Sequence, residues 1–121
     1  MGRFLYVALS DALPGREPEL DRWYDELHIG QVLDVPGFVS ARRFAAVEAG
    51  DGPPRRRKIL MIYEIEAEDP AAVIAALRER RGTDQLIPSD ALDPQSMFAQ
   101  VYRPLGETIY PARDDKRLDR N

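Results

Sequence analysis

The stretch Lys58–Glu66, "KILMIYEIE", constrains the fold more than any other part of the chain. Side chains alternate across a strand, so Ile59, Met61, Tyr63 and Ile65 share one face and Leu60 and Ile62 the other. Its length and the turn residues flanking it predict a central place in a sheet. Apolar side chains on both faces require cover on both faces. Helices of the same chain can supply one layer, and a second copy of the sheet is the simplest source of the other. The pattern predicts a homodimer.

The other elements arrange around that strand. Arg3–Ser10 reads as a first strand and "DALPGREP" as a turn, with Pro18 suited to a first helical turn. Leu20, Trp23, Tyr24 and Leu27 follow the i, i+3, i+4, i+7 spacing of one helical face. Gly30 is expected to weaken or end that helix, with "QVLDV" adding a short turn before Pro36-Gly37. Phe38–Val47 reads as a second strand and "EAGDGPPR" as a hairpin connection. Asp69 is suited to cap, and Pro70 to open, a second helix that Gly82 ends. Ala72, Val73, Ala76, Leu77 and Arg80 are expected along its inner side. Gly82–Pro94, "GTDQLIPSDALDP", is a long connection of the kind that tends to be functional or mobile. Ser96–Arg103 completes the set as a fourth strand.

The order β-α-β-β-α-β is the ferredoxin-like α+β arrangement, an antiparallel four-stranded sheet with both helices on one face. The domain is expected to span 1–105, with 106–121 a C-terminal tail. The stretch Asp114–Asn121, highly charged and with only Leu118 to bury, is expected to be dispensable.

Composition narrows the function. A chain of 121 residues is one domain, able to bury roughly two thirds of its unfolded surface. The absence of cysteine excludes disulfides, thiolate zinc sites and cysteine nucleophiles, and suits a reducing, cytoplasmic setting. "MGRFLYVALS" is too short to span a membrane and lacks a small-residue cleavage site. A net charge of −4 argues against general nucleic-acid binding. The one basic run, "PPRRRK" at Pro53–Lys58, reads as the solvated flank of a hairpin. One histidine, with carboxylates mostly on exposed helix faces, makes a poor metal site. There is no phosphate loop, serine elbow or nucleotide fingerprint.

The lone histidine, His28, stands in "RWYDELHIGQVLDVPGF". This segment resembles the first-helix region of the EthD-like branch of the dimeric α+β-barrel superfamily. The shared features are an aromatic pair, an acidic spacer, a histidine and a Pro-Gly-Phe lead into the second strand: Trp23, Tyr24, His28, Pro36, Gly37 and Phe38. The resemblance implies a ligand pocket between the first helix and the sheet of each subunit. Proteins of similar fold include polyketide cyclases, aromatic decarboxylases and dehydratases, muconolactone isomerases, cofactor-free monooxygenases and haem-degrading enzymes.

The candidate site follows. His28 shares a helical face with Tyr24, and Asp21 or Asp25 could orient or charge its ring. Its side chain titrates nearest neutrality, which proton transfer on phenols or β-keto acids requires. The rival explanation is a histidine at a helix C-terminus, placed there by the dipole. Tyr24 and Tyr63 join His28 as candidate catalytic groups, because phenols can donate hydrogen bonds to an oxyanion or enolate. Tyr6, Trp23, Phe38, Arg43 and Tyr102 are the candidate substrate-binding residues. Arg42 and Arg43 must point to opposite faces, and an arginine on either could hold a carboxylate or an interface ion pair.

The leading expectation is a small cofactor-free lyase, cyclase or decarboxylase. It would act on a hydrophobic aromatic or polyketide-like acid, with no metal and no nucleic-acid or membrane partner. One rival is a haem-binding or haem-degrading protein with His28 as axial ligand. Another is a non-catalytic dimeric binding or accessory protein in which His28 is structural.

Overall fold

The computed structural model describes residues 1–112. Strand β1 (Gly2–Ser10) pairs antiparallel with β3 (Ile59–Ala67) on one side and β4 (Phe98–Tyr102) on the other. Strand β2 (Phe38–Ala45) lies outside β3, giving the order β2-β3-β1-β4. This is the ferredoxin-like α+β topology expected from the element order, with "KILMIYEIE" in an interior position. The charged stretch Asp114–Asn121 lies outside the described residues.

The inner sheet face carries Met61, Tyr63 and Ile65, each buried. They pack against Leu20, Tyr24 and Val32 of the first helical segment and Val73, Ile74 and Leu77 of α3 (Pro70–Arg80). Helix α3 begins as its sequence suggests, with the Asp69 carboxylate accepting the Ala71 N–H at 3.0 Å. Its inner side differs from expectation: Ile74 is buried and Ala72 is exposed. Strand β2 ends at Ala45, short of Val47, and a short 3-10 turn at Pro94–Ser96 delays β4 to Phe98.

The first helical segment departs most from its sequence pattern. It runs as α1 (Glu17–Trp23), a π-helical turn (Tyr24–His28) and α2 (Ile29–Leu33). Four residues overshoot an α-helical turn by about 40°, and a wider π turn winds part of that drift back. Its inward row is therefore Leu20, Tyr24, His28 and Val32, and not the α-helical row ending at Leu27. Gly30 does not end the helix. It sits exposed within α2, and nothing lies within 4 Å of where a Cβ would be. Burial of Val32 and Val35, 2% and 0% exposed, offsets the weak propensity of one glycine, about 1 kcal/mol. His28 is thus inside the helical run, so a helix-end role does not explain it.

Pro36-Gly37-Phe38 has a structural account. Gly37 adopts φ +106°, and a Cβ there would meet Val73 Cγ2 at 2.6 Å. The chain can pass this close to α3 only without a side chain. The Gly37 carbonyl accepts the Glu66 N–H at 2.8 Å, and Phe38 enters the core.

By register, the outer sheet face presents Leu5, Val7 and Leu9 of β1 and Leu60 and Ile62 of β3. Phe44 of β2 and Phe98 and Tyr102 of β4 join them. Leu5 and Tyr102 remain 37% and 43% exposed. Among the described residues, no helix is long and apolar enough to cross a membrane.

Candidate active site

A cavity of about 450 Å³ opens between the inner sheet face and the helices. Its floor is Tyr6 and Ala8 of β1, Met61 and Tyr63 of β3 and Ala99 of β4. Its wall is Trp23, Tyr24, His28 and Val32, with Leu77 and Arg81 at the end of α3. The connection after α3 roofs it with Leu86 to Ser89 and Leu92.

That connection is an ordered strap. The Trp23 indole N–H donates to the Ile87 carbonyl at 3.0 Å. The Gln31 amide donates to Asp84 O and accepts from the Ile87 N–H, both at 2.9 Å. Arg16 donates to the Asp90 carbonyl at 2.9 Å and carboxylate at 2.7 Å. Three side chains of the first helix and its lead-in thus hold the strap by backbone and side-chain oxygens and one N–H.

His28 is fixed by rings. Trp23 stacks on it, with centroids 4.1 Å apart and planes 17° from parallel, and Tyr24 meets it edge-on at 5.5 Å. Residues five apart on an ideal α-helix point about 140° away from each other, so the π turn makes this stack possible. Contrary to the near-neutral titration expected from residue type, burial lowers the imidazole pKa from 6.5 to about 4, leaving the ring neutral at pH 7. Its Nδ1 is buried with no hydrogen-bond partner. Neither Asp21 nor Asp25 orients the ring through this atom. Asp21 and Asp25 are held instead by Arg43, at 2.7 and 2.9 Å.

The tyrosines divide by partner. Tyr24 Oη shares a 2.8 Å hydrogen bond with Ser10 Oγ, tying the helix to β1. Tyr63 Oη is buried without a partner. Burial, with smaller contributions from Tyr24 and Tyr6, raises its pKa, so it stays a protonated donor. Burial also raises Tyr6, against smaller opposing effects of Arg81 and Arg78.

Five of the eight candidate residues therefore meet in one cavity: His28, Tyr24, Tyr63, Tyr6 and Trp23. The other three do not line it. Phe38 backs the floor, 5.6 Å from Tyr63 and 6.0 Å from Tyr6 between ring centroids. Arg43 lies over the Tyr24 ring at 5.6 Å, engaged by its two aspartates. Tyr102 pairs with Leu5 and belongs to the outer face. Sequence reasoning missed Ser10, the strap and Arg81; the length of the Gly82–Pro94 connection was the one available signal. Among the described residues, no group of three or more His, Asp or Glu side chains is placed to hold a metal ion.

No protein-family profile and no curated protein matches the sequence. Solved structures do match the fold. A candidate monooxygenase from Shewanella loihica aligns with TM-score 0.58 and 15% identity, over 88% of this chain and 97% of its own. An ethyl tert-butyl ether degradation (EthD) family protein from Bacillus halodurans gives 0.55 and 15%, over 88% and 99%. The haem degrader MhuD from Mycobacterium tuberculosis, whose structure holds two haems in its active site, gives 0.55 and 12%, over 87% and 98%. These structures share this chain's α+β fold of a four-stranded antiparallel sheet and two helical segments. At such identities the likeness is one of fold.

Proposed function

From a fold of the dimeric α+β-barrel superfamily, shared with an EthD-family protein, we propose an acid–base enzyme of lyase, cyclase or decarboxylase type. Its substrate is a hydrophobic aromatic or polyketide-like acid bound in the helix–sheet cavity. One observation carries this reading: His28 Nδ1 and Tyr63 Oη, both buried and both without a partner, belong to residues lining the same largely apolar cavity. An unpaired buried polar atom costs roughly 1–3 kcal/mol, which a ligand oxygen or acidic proton placed between such groups offsets. The neutral imidazole accepts a proton from the substrate and later returns it. The protonated phenol of Tyr63 donates to the oxygen on which enolate or phenolate charge develops. Trp23 fixes the plane of the ring, and the Ser10–Tyr24 hydrogen bond fixes the helix over the floor.

The reading includes the assembly and the compartment. A second copy of the chain covers the apolar outer face, giving a homodimer with a cavity in each subunit. The cysteine-free sequence suits the cytoplasm.

The test is turnover of a panel of aromatic β-keto acids. His28→Gln and Tyr63→Phe are each expected to lower it by about 10²–10⁴-fold and 10²–10³-fold, with circular dichroism unchanged. A wild-type protein inert across the panel, or variants as active as wild type, overturns the reading. A neutral imidazole is also the form that ligates haem iron. A Soret band on titration with ferric protoporphyrin, lost in His28→Gln, would replace proton transfer by ligation.

A further inference from the structure

The cavity has a single formal charge. Among the described residues that line it, Arg81 is the only one with a formally charged side chain, and no carboxylate lines it. Arg81 follows Leu77 by four residues, so the apolar wall made by α3 ends in a guanidinium. It is exposed, which places it at the mouth rather than the floor. Its charge still reaches inward, opposing the effect of burial on the Tyr6 phenol.

Two ordinary explanations do not account for it. Arg3, Arg16 and Arg43 are engaged in ion pairs, whereas Arg81 makes none among the described residues. A cation at a helix C-terminus also serves the dipole, but Arg78 and Arg80 already occupy the last turn of α3. Deeper in the cavity His28 is neutral, so an anion placed there would be desolvated without a counter-charge.

We propose that the cavity selects mono-anionic aromatic ligands. The oxyanion sits on Arg81 at the mouth, and a neutral phenol or carbonyl oxygen reaches Tyr63 and His28 inside. This deepens, and rests on, the acid–base reading of the same cavity. A guanidinium grips a carboxylate through two parallel N–H donors, which fixes the long axis of the ligand as well as its charge.

The test compares 6-hydroxy-2-naphthoate with its neutral amide by calorimetry. The indole N–H signal of Trp23, the one tryptophan of the chain, reports whether each ligand occupies this cavity. Wild type is expected to prefer the acid by roughly tenfold or more, the range of charged hydrogen bonds. Arg81→Gln should abolish that preference by weakening the acid and leaving the amide within about twofold; Arg81→Lys should keep part of it. Tyr63→Phe should weaken both ligands. Equal affinities in wild type, or a preference that survives Arg81→Gln, overturns the role of Arg81, while a loss in Tyr63→Phe leaves the acid–base reading standing. An indole signal unmoved by either ligand, with Tyr63→Phe without effect, removes both.

Discussion

Tyr24 and Tyr63 are both buried phenols on the same cavity, yet only Tyr24 has a bonding partner, in Ser10. That difference separates a residue that ties the helix to the sheet from one whose buried hydroxyl has no partner, the one proposed to meet the ligand. The unpartnered hydroxyl should cost stability in the empty protein. Tyr63→Phe is therefore expected to raise the stability of the ligand-free protein by about 1 kcal/mol in urea denaturation, even as turnover falls. A loss of stability would mean that the hydroxyl is already satisfied. The sequence indicated the aromatic residues and histidine of the cavity because residue type and spacing placed them on one helix face and one strand face. It did not indicate which arginine would line the cavity. Arg43 and Arg81 are alike in type, and only the fold shows Asp21 and Asp25 closing on the first.

At the scale of elements, the π turn is the decisive feature and has no sequence signature. Its consequence is the stack of Trp23 on His28, residues that α-helical spacing would separate. Two glycines, one inside α2 and one just after it, make opposite cases. Gly30 sits in open helix, so Gly30→Ala should stabilise the protein by about 0.5–1 kcal/mol. Gly37 combines φ +106° with a close approach to Val73, so Gly37→Ala should destabilise it by more than about 1 kcal/mol. Thermal melts of the two variants check both signs, and a stable Gly37→Ala would contradict the tight passage against α3. The strand order was legible because period-two and helical patterns differ. Strand ends were less so: Val47 fits a strand by residue type, but pairing with β3 stops at Ala45.

At the scale of the whole molecule, helices cover the inner sheet face and, among the described residues, no helix covers the outer face. Ile62 pairs with Val7 and Arg42 within that outer face. In the proposed homodimer, Ile62→Lys should convert a sedimenting dimer to a folded monomer, judged by unchanged circular dichroism; a wild-type monomer contradicts the dimer, and a variant that stays dimeric places the interface elsewhere. The β-α-β-β-α-β order and the two-sided third strand were readable from the sequence. The helix–sheet pocket was expected only from the family resemblance, and its roof was not readable, because it depends on the strap after α3 folding back over the first helix. Sheet floor, π turn and strap together shield one imidazole from water, and the chain has no other histidine. Its folded pKa of about 4 lies below the ordinary 6.5, so the unfolded chain binds more protons between those values. This group therefore makes the protein less stable as pH falls through that window. The direct measurement is an NMR titration of the His28 ring in the intact, ligand-free protein. A midpoint near 4 is the result expected of a neutral imidazole buried in the cavity, and a midpoint near 6.5 would contradict it.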